Sequence, residues 1–305
     1  MMGPGDNVSS LVGNKDHIGV LRYIRSHELR EPKLVVEHGQ ALLGQDLSKG
    51  MGDTEVLVAA LEQICLASLD LGRHDLAEKS LDQLRNNGIE NDSVRFRRLL
   101  ARCLEASGDY DGATKIYDAL LADNPANVIA LQRKYCIARA QQMEPQLVVE
   151  ALNDYLGQNM SDISGWYEMA QLRMTLCDFK GAAYALEQVI LGSPLDAEMH
   201  RLLAEVYATL GGLENLVLAR KHMSQSLELD SSSVRAQLGL VSVANQYLEE
   251  SALVGKKDID EHEILVAKEL VKYGASQVLK SYEGSKMLSI IKRVVDDYVD
   301  NIDVV

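Results

Sequence analysis

Apolar positions recur along this chain at helical spacing, and the spacing itself repeats. Trp166, Met169 and Ala170, then Phe179, Ala182, Leu186 and Pro194, mark two apolar stripes separated by a short turn. The same series returns about 34 to 38 residues away in both directions. Apolar residues at i, i+3 and i+4 predict amphipathic helix. Two such helices cannot bury their apolar faces alone, so the units must stack.

These spacings are those of a tetratricopeptide (TPR) repeat, whose two helices are called A and B below. The first repeat, about 58–91, puts Ile64, Cys65 and Ser68 on helix A, a turn at Gly72, and Ala77, Leu81 and Leu84 on helix B. The second, about 94–127, carries Leu100, Ala101 and Leu104, the turn Gly108-Asp109-Tyr110, then Ala113, Tyr117, Leu120 and Pro125. The third, about 128–162, supplies Ala130, Leu131, Tyr135 and Ala138, and its helix B opens at Pro145, after an extra residue near Met143. The fourth is the Trp166 unit, about 163–196. The fifth, about 197–230, has Leu203, Ala204, Tyr207 and Gly211, then an insertion of about three residues within Gly212 to Leu218. Ala101, Ala113, Ala170 and Ala182 let helices approach, and Tyr117, Trp166 and Tyr207 fill the gaps that remain. Pro145 suits the first helical position, whereas Pro125 and Pro194 follow helix ends. The expectation is an all-α, right-handed α-solenoid of about five TPR helix pairs with helical caps at both ends.

The flanks extend the picture. Residues 1–14 read as a flexible terminus and 15–57 as an amino-terminal cap of two helices, Lys15 to Leu29 and Pro32 to Leu43. Residues 231–305 read as an incomplete sixth repeat (Val234 to Leu248), a polar linker (Glu249 to Asp260) and two capping helices, about Glu261 to Tyr282 and Gly284 to Asp300.

Composition narrows the function. A net charge of −14 argues against nucleic-acid binding through bulk electrostatics. No apolar run approaches the ~18 residues of a membrane span, and Met1 to Ser10 lacks the pattern of a signal peptide. Cys65, Cys103, Cys136 and Cys177 contain no C-x-x-C pair and read as four small buried hydrophobes of a reducing compartment. No phosphate-binding, zinc-protease or serine-hydrolase motif is present, and Gly3-Pro-Gly5 and Gly50-Met-Gly52 read as turns. The seven histidines are scattered without ligand spacing. Asp258, Asp260, Glu261, His262 and Glu263 form the densest potential metal-ligand cluster, but acids before a helix read as caps and dipole partners. No enzyme activity, metal, cofactor or small-molecule substrate is expected.

A groove along successive A helices is the remaining candidate site. It would present Arg95, Arg98 and Arg102, then Gln132 and Arg139, Tyr167 and Gln171, and Arg201 and Glu205. Arginine forks onto carboxylates and carbonyls, which suits an extended acidic peptide. Pairing of these arginines with neighbouring acids, Glu105 or Glu205 among them, is the competing reading.

Leu71-Gly-Arg-His-Asp-Leu-Ala77 and Gly211-Gly-Leu-Glu-Asn-Leu-Val-Leu-Ala-Arg-Lys221 depart from a generic repeat. With Asp109-Tyr-Asp-Gly-Ala113, Asp123-Asn-Pro-Ala-Asn127, Leu152-Asn-Asp-Tyr-Leu156 and the Trp166 unit, they resemble the subunit 2 family of the endoplasmic reticulum (ER) membrane protein complex. The resemblance runs from about Glu55 to Leu240. It implies a non-catalytic scaffold, peripheral on the cytosolic face of the ER membrane, within an insertase for tail-anchored and multipass proteins. The implied partners are cytosolic segments of subunits 3 and 5 and a subunit 8 or 9. Two alternatives are a free TPR co-chaperone or adaptor and an auxiliary TPR subunit of another complex. A chaperone clamp needs Lys and Asn at the fifth and ninth repeat positions. The pairs Glu62/Leu66, Arg98/Arg102, Gln132/Cys136, Tyr167/Gln171 and Arg201/Glu205 do not supply them.

Overall fold

The computed structural model describes residues 11–14, 16–44, 54–87, 89–253 and 260–302. Gly3-Pro-Gly5, Gly50-Met-Gly52, Gly255-Lys-Lys257 and Asp258 lie outside the described residues, as does most of the expected flexible terminus; Leu11 to Gly13 are helical. Among the described residues the structure is all-α, with no strand. The chain divides into two compact units, Met1–Met143 and Glu144–Val305. The division falls between the two helices of the third repeat.

The first unit contains α1 (His17–Ser26), α2 (Pro32–Leu43), α3 (Thr54–Asp70), α4 (His74–Asn86), α5 (Val94–Ser107), α6 (Tyr110–Asp123) and α7 (Val128–Ala140). Successive helices pack on one another. Val20, Leu21 and Ile24 of α1 and Val35 and Leu42 of α2 share one core with Leu61 and Ile64 of α3, Leu81 and Leu84 of α4 and Phe96 and Leu99 of α5. Each fully buried leucine or isoleucine in it contributes about 1.5–3 kcal/mol. Ala101, Ala113, Tyr117, Leu120, Ala130 and Ile137 form a second cluster along α5 to α7.

The second unit contains α8 (Pro145–Gln158), α9 (Ile163–Thr175), α10 (Phe179–Gly192), α11 (Ala197–Leu210), α12 (Leu213–Leu229), α13 (Val234–Leu253), α14 (Glu261–Ser281) and α15 (Leu288–Asn301). Pro145 stands at the start of α8, where a missing N–H costs nothing. The insertion after Gly211 makes α12 17 residues long against 14 for α10.

Local chemistry explains the punctuation. The carboxylates of Asp109, Asp162, Asp178 and Asp196 each accept a backbone N–H from the first turn of the helix they precede. Pro125 and Pro194 push Asn124 and Ser193 into non-helical backbone, at φ −147 and −138, which stops α6 and α10. The turn between paired helices needs one left-handed residue. Gly72 (φ 68) and Gly108 (φ 85) occupy it in two repeats, Gln142 (φ 51) and Cys177 (φ 57) do so in two others, and the fifth repeat turns instead through two glycines at positive φ, Gly211 (φ 67) and Gly212 (φ 83). A side chain there costs about 1–2 kcal/mol. The extra residue of the third repeat lies between Gln142 and its N-cap, Glu144.

Three expectations are corrected. Helix α13 does not stop at Leu248; it runs to Leu253, because Ser251 bonds the Leu248 carbonyl and Glu250 accepts the Gly212 N–H at 2.9 Å. The sixth repeat is therefore not a lone helix, since α14 packs along α13 as its partner. Gly274 makes this possible, because a Cβ there would stand 2.7 Å from Val241 Cγ2. Arg220 of α12, buried over the Tyr247 ring, pairs with the Glu263 carboxylate and pins α14. The cysteines are not uniformly buried either: Cys65 is buried, Cys103 and Cys136 are half-buried, and Cys177 is exposed in its turn.

Candidate functional site

Helix α5 carries the densest basic stripe, because Arg95, Arg98 and Arg102 fall at i, i+3 and i+7 and share one face. Arg95 is occupied within the chain. Its Nε and Nη2 donate to the two carboxylate oxygens of Glu62 at 2.7 and 2.9 Å, and its Nη1 donates to Glu55 at 2.8 Å. Those bonds, Glu62 first, raise its already high pKa.

Arg98 and Arg102 differ. Both are half-buried, and neither makes an ion pair among the described residues. They line a cavity of about 230 Å³ with Leu66, Leu99, Tyr117 and Ile129, and with the Arg95–Glu62 pair, whose carboxylate is held by Arg95. Leu66 and Ile129 keep 40% and 39% of their surface exposed, so the arginines are flanked by partly exposed apolar ground. Arg102 also borders a second cavity of about 230 Å³, lined by Asp70, Glu105, Tyr110, Arg133 and Cys136.

Glu105 is the acid one turn beyond Arg102, yet it serves other groups. Arg133 of α7 clasps it, with Nε 3.0 Å from Oε1, and the buried Tyr117 hydroxyl donates to Oε1 at 2.5 Å. Burial, and then that hydrogen bond to the carboxylate, push the Tyr117 pKa up. Arg133 was not among the sequence candidates. Its partner lies 28 residues away on another helix, and helical spacing carries no signal for such a pair. Gln132 and Arg139 of α7 are exposed, and Arg139 Nη1 stands 3.5 Å from the Tyr135 hydroxyl.

The remaining candidates belong to the second unit. Tyr167 is half-buried and Gln171 exposed on α9. Arg201 is a correction: its side chain is only 4% exposed. Its Nε donates to Glu198 at 3.0 Å and its Nη1 pairs with Glu205. Glu205 also takes Nε and Nη2 of Arg235, both at 2.9 Å. The guanidinium is thus neutralised inside the chain and presents no free fork. The signal was legible, since acids at i−3 and i+4 of an arginine share its helix face.

Two histidine pairs form across helices despite their spacing in sequence. His17 and His38 approach to 2.9 Å between Nδ1 atoms, and His200 and His222 to 3.0 Å. Burial, followed by the facing histidine, lowers the pKa of His38 and of His222. Among the described residues no group of three or more His, Cys, Asp or Glu side chains could hold a metal ion. Asp260 caps α14 through the His262 N–H at 2.9 Å.

Helix pairs with small residues at their contacts, left-handed turn residues and Asp caps define a TPR-repeat protein. Residues 85–228 match the family model described as the EMC2 TPR-like repeat domain. ER membrane protein complex subunit 2-A of Xenopus laevis is 36% identical over 262 residues, which is 85% of this chain and 83% of that protein. Subunit 2-B of the same frog is 38% identical over 71% of each chain. Subunit 2 of Dictyostelium discoideum is 30% identical over 69% of this chain and 64% of its own length. The chain belongs to the family of ER membrane protein complex subunit 2.

Proposed function

We propose that this protein is a non-catalytic cytosolic scaffold of the ER membrane protein complex. On this reading it organises the insertase that places tail-anchored and multipass transmembrane segments in the ER membrane. Its partners would be cytosolic segments of membrane subunits 3 and 5 and a globular subunit 8 or 9. The supporting observation is the 36% identity over 85% of the chain to a relative named as a subunit of that complex. Among the described residues no helix is long and apolar enough to cross a membrane, so attachment is assigned to partners at the cytosolic face.

The cavity of Arg98 and Arg102 is assigned to an extended acidic segment, the cytosolic tail of subunit 5. Two half-buried guanidiniums that make no ion pair among the described residues, with Glu62 beside them already bound by Arg95, favour a carboxylate partner, and Leu66 and Ile129 offer apolar contact beside it. Affinity purification from gently solubilised membranes, read by mass spectrometry, tests the assignment. Recovery of a set of multi-spanning membrane subunits is expected. Recovery of soluble chaperones alone would point to a co-chaperone instead.

A further inference from the structure

Helices α3 and α5 bring two cysteines together that are far apart in the sequence. Cys65 Sγ and Cys103 Sγ stand 3.8 Å apart. Cys65 is sealed in the core of the first unit, whereas Cys103 is half-buried and is the member of the pair that keeps some surface. The contact is asymmetric: the hydrogen bond to Cys103 and burial push the Cys65 thiol up, while the same bond, against burial and Glu78, lowers the Cys103 pKa, with a smaller contribution from Arg102. Cys136 is half-buried and Cys177 exposed, and neither has a thiol neighbour among the described residues.

We propose that Cys65 and Cys103 are a reversible dithiol modification site, closed to an intrachain disulfide by peroxide, with Cys103 attacking and Cys65 resolving. The Cys103 thiolate attacks one peroxide oxygen and the O–O bond breaks. The other oxygen leaves as hydroxide and takes up a proton to become water. Cys103 is then a sulfenic acid. The Cys65 sulfur displaces its hydroxyl, the S–S bond forms, the S–O bond breaks, and the Cys65 proton leaves with the hydroxyl as a second water. Two thiols lose two electrons and peroxide gains them. A thiol reductant restores the pair by exchange. The sulfurs must close from 3.8 Å to a bond of about 2.05 Å, and the two helices that carry them already touch. The bond would tie the A helices of the first two repeats beside the Arg98 and Arg102 cavity.

The test treats the purified full chain with hydrogen peroxide, quenches it, alkylates all remaining thiols in denaturant and maps peptides without reduction. The expected result is a linked Cys65–Cys103 peptide in a monomeric chain, loss of alkylation at both positions, and full recovery after dithiothreitol. The melting temperature of the oxidised chain should rise. Cys103→Ser should abolish the link, and Cys65→Ser should leave Cys103 as a sulfenic acid that dimedone traps. A chain that keeps both thiols alkylatable at a dose that oxidises Cys177 would overturn the proposal. So would dimedone labelling of Cys65→Ser at Cys177 with none at Cys103. Four free thiols at a dose that consumes free cysteine would overturn it equally.

Discussion

On α5, Arg98 and Arg102 stand half-buried beside a cavity and close on no acid among the described residues, whereas on α11 Arg201 is buried between Glu198 and Glu205 of its own helix. Both helices are the A helix of a repeat, and both carry arginine on the face first assigned to a groove. The difference lies in where the neighbouring acids are used. Arg201 has acids at i−3 and i+4, and both bond it. Arg102 has Glu105 at i+3, but Arg133 and Tyr117 take that carboxylate from outside the helix. A basic residue on a repeat helix stays without an internal partner only where neither its own helix nor a packed one leaves an acid for it. Net charge does not report this: the whole chain carries −14, yet two half-buried guanidiniums make no ion pair among the described residues.

The largest expected effect probes the packing that seats α11 and its arginine. Ala182 of α10 is fully buried, and α10 packs on α11. Ala182→Trp should cost about 3 kcal/mol or more by overpacking that contact. Thermal or urea unfolding reads the change, and unaltered stability would mean that Ala182 does not face a neighbouring helix.

Next comes the comparison itself. Arg201→Ala should cost about 2–3 kcal/mol, because it removes a buried cation from two carboxylates. Arg98→Ala should cost far less, about 0.5 kcal/mol, because this half-buried side chain gives up no ion pair. Equal losses in urea titrations of the two variants would remove the distinction between committed and available arginines.

A smaller effect, of opposite sign, concerns the turns. Cys177 occupies the left-handed position that Gly72 and Gly108 fill elsewhere. Cys177→Gly should stabilise the protein by about 0.5–1 kcal/mol, the relief of backbone strain exceeding the added chain entropy. A lower melting temperature for this variant would show that the exposed thiol side chain contributes more than the strain it carries.

Much of the scaffold was legible in the sequence, because TPR packing depends on local properties. Ala101, Ala170 and Ala182 are wholly buried where close approach demanded small residues, and Gly108 is left-handed where the turn demanded glycine. The carboxy-terminal pairing of α13 with α14 was harder to see. Its close contact uses Gly274 in place of a repeat alanine, and α13 is 20 residues long, beyond the usual repeat helix. The site was legible only in part. Periodicity put Arg95, Arg98 and Arg102 on one face, but which of them stayed available depended on Glu62, Glu55 and Arg133, held by other helices. The two histidine pairs and the Cys65–Cys103 contact share that origin, since they exist only once helices have packed.

The central claim is that Arg98 and Arg102 are held open for an acidic partner segment. Its most direct test is capture of the subunit 5 cytosolic tail by the double variant Arg98→Glu with Arg102→Glu, with circular dichroism as the folding control. Charge-assisted hydrogen bonds contribute about 1.5–3 kcal/mol each when desolvated, so capture should fall at least about tenfold while the helical signal and melting curve stay as in the parent chain. Undiminished capture by a folded double variant would contradict the account and put the partner on another surface.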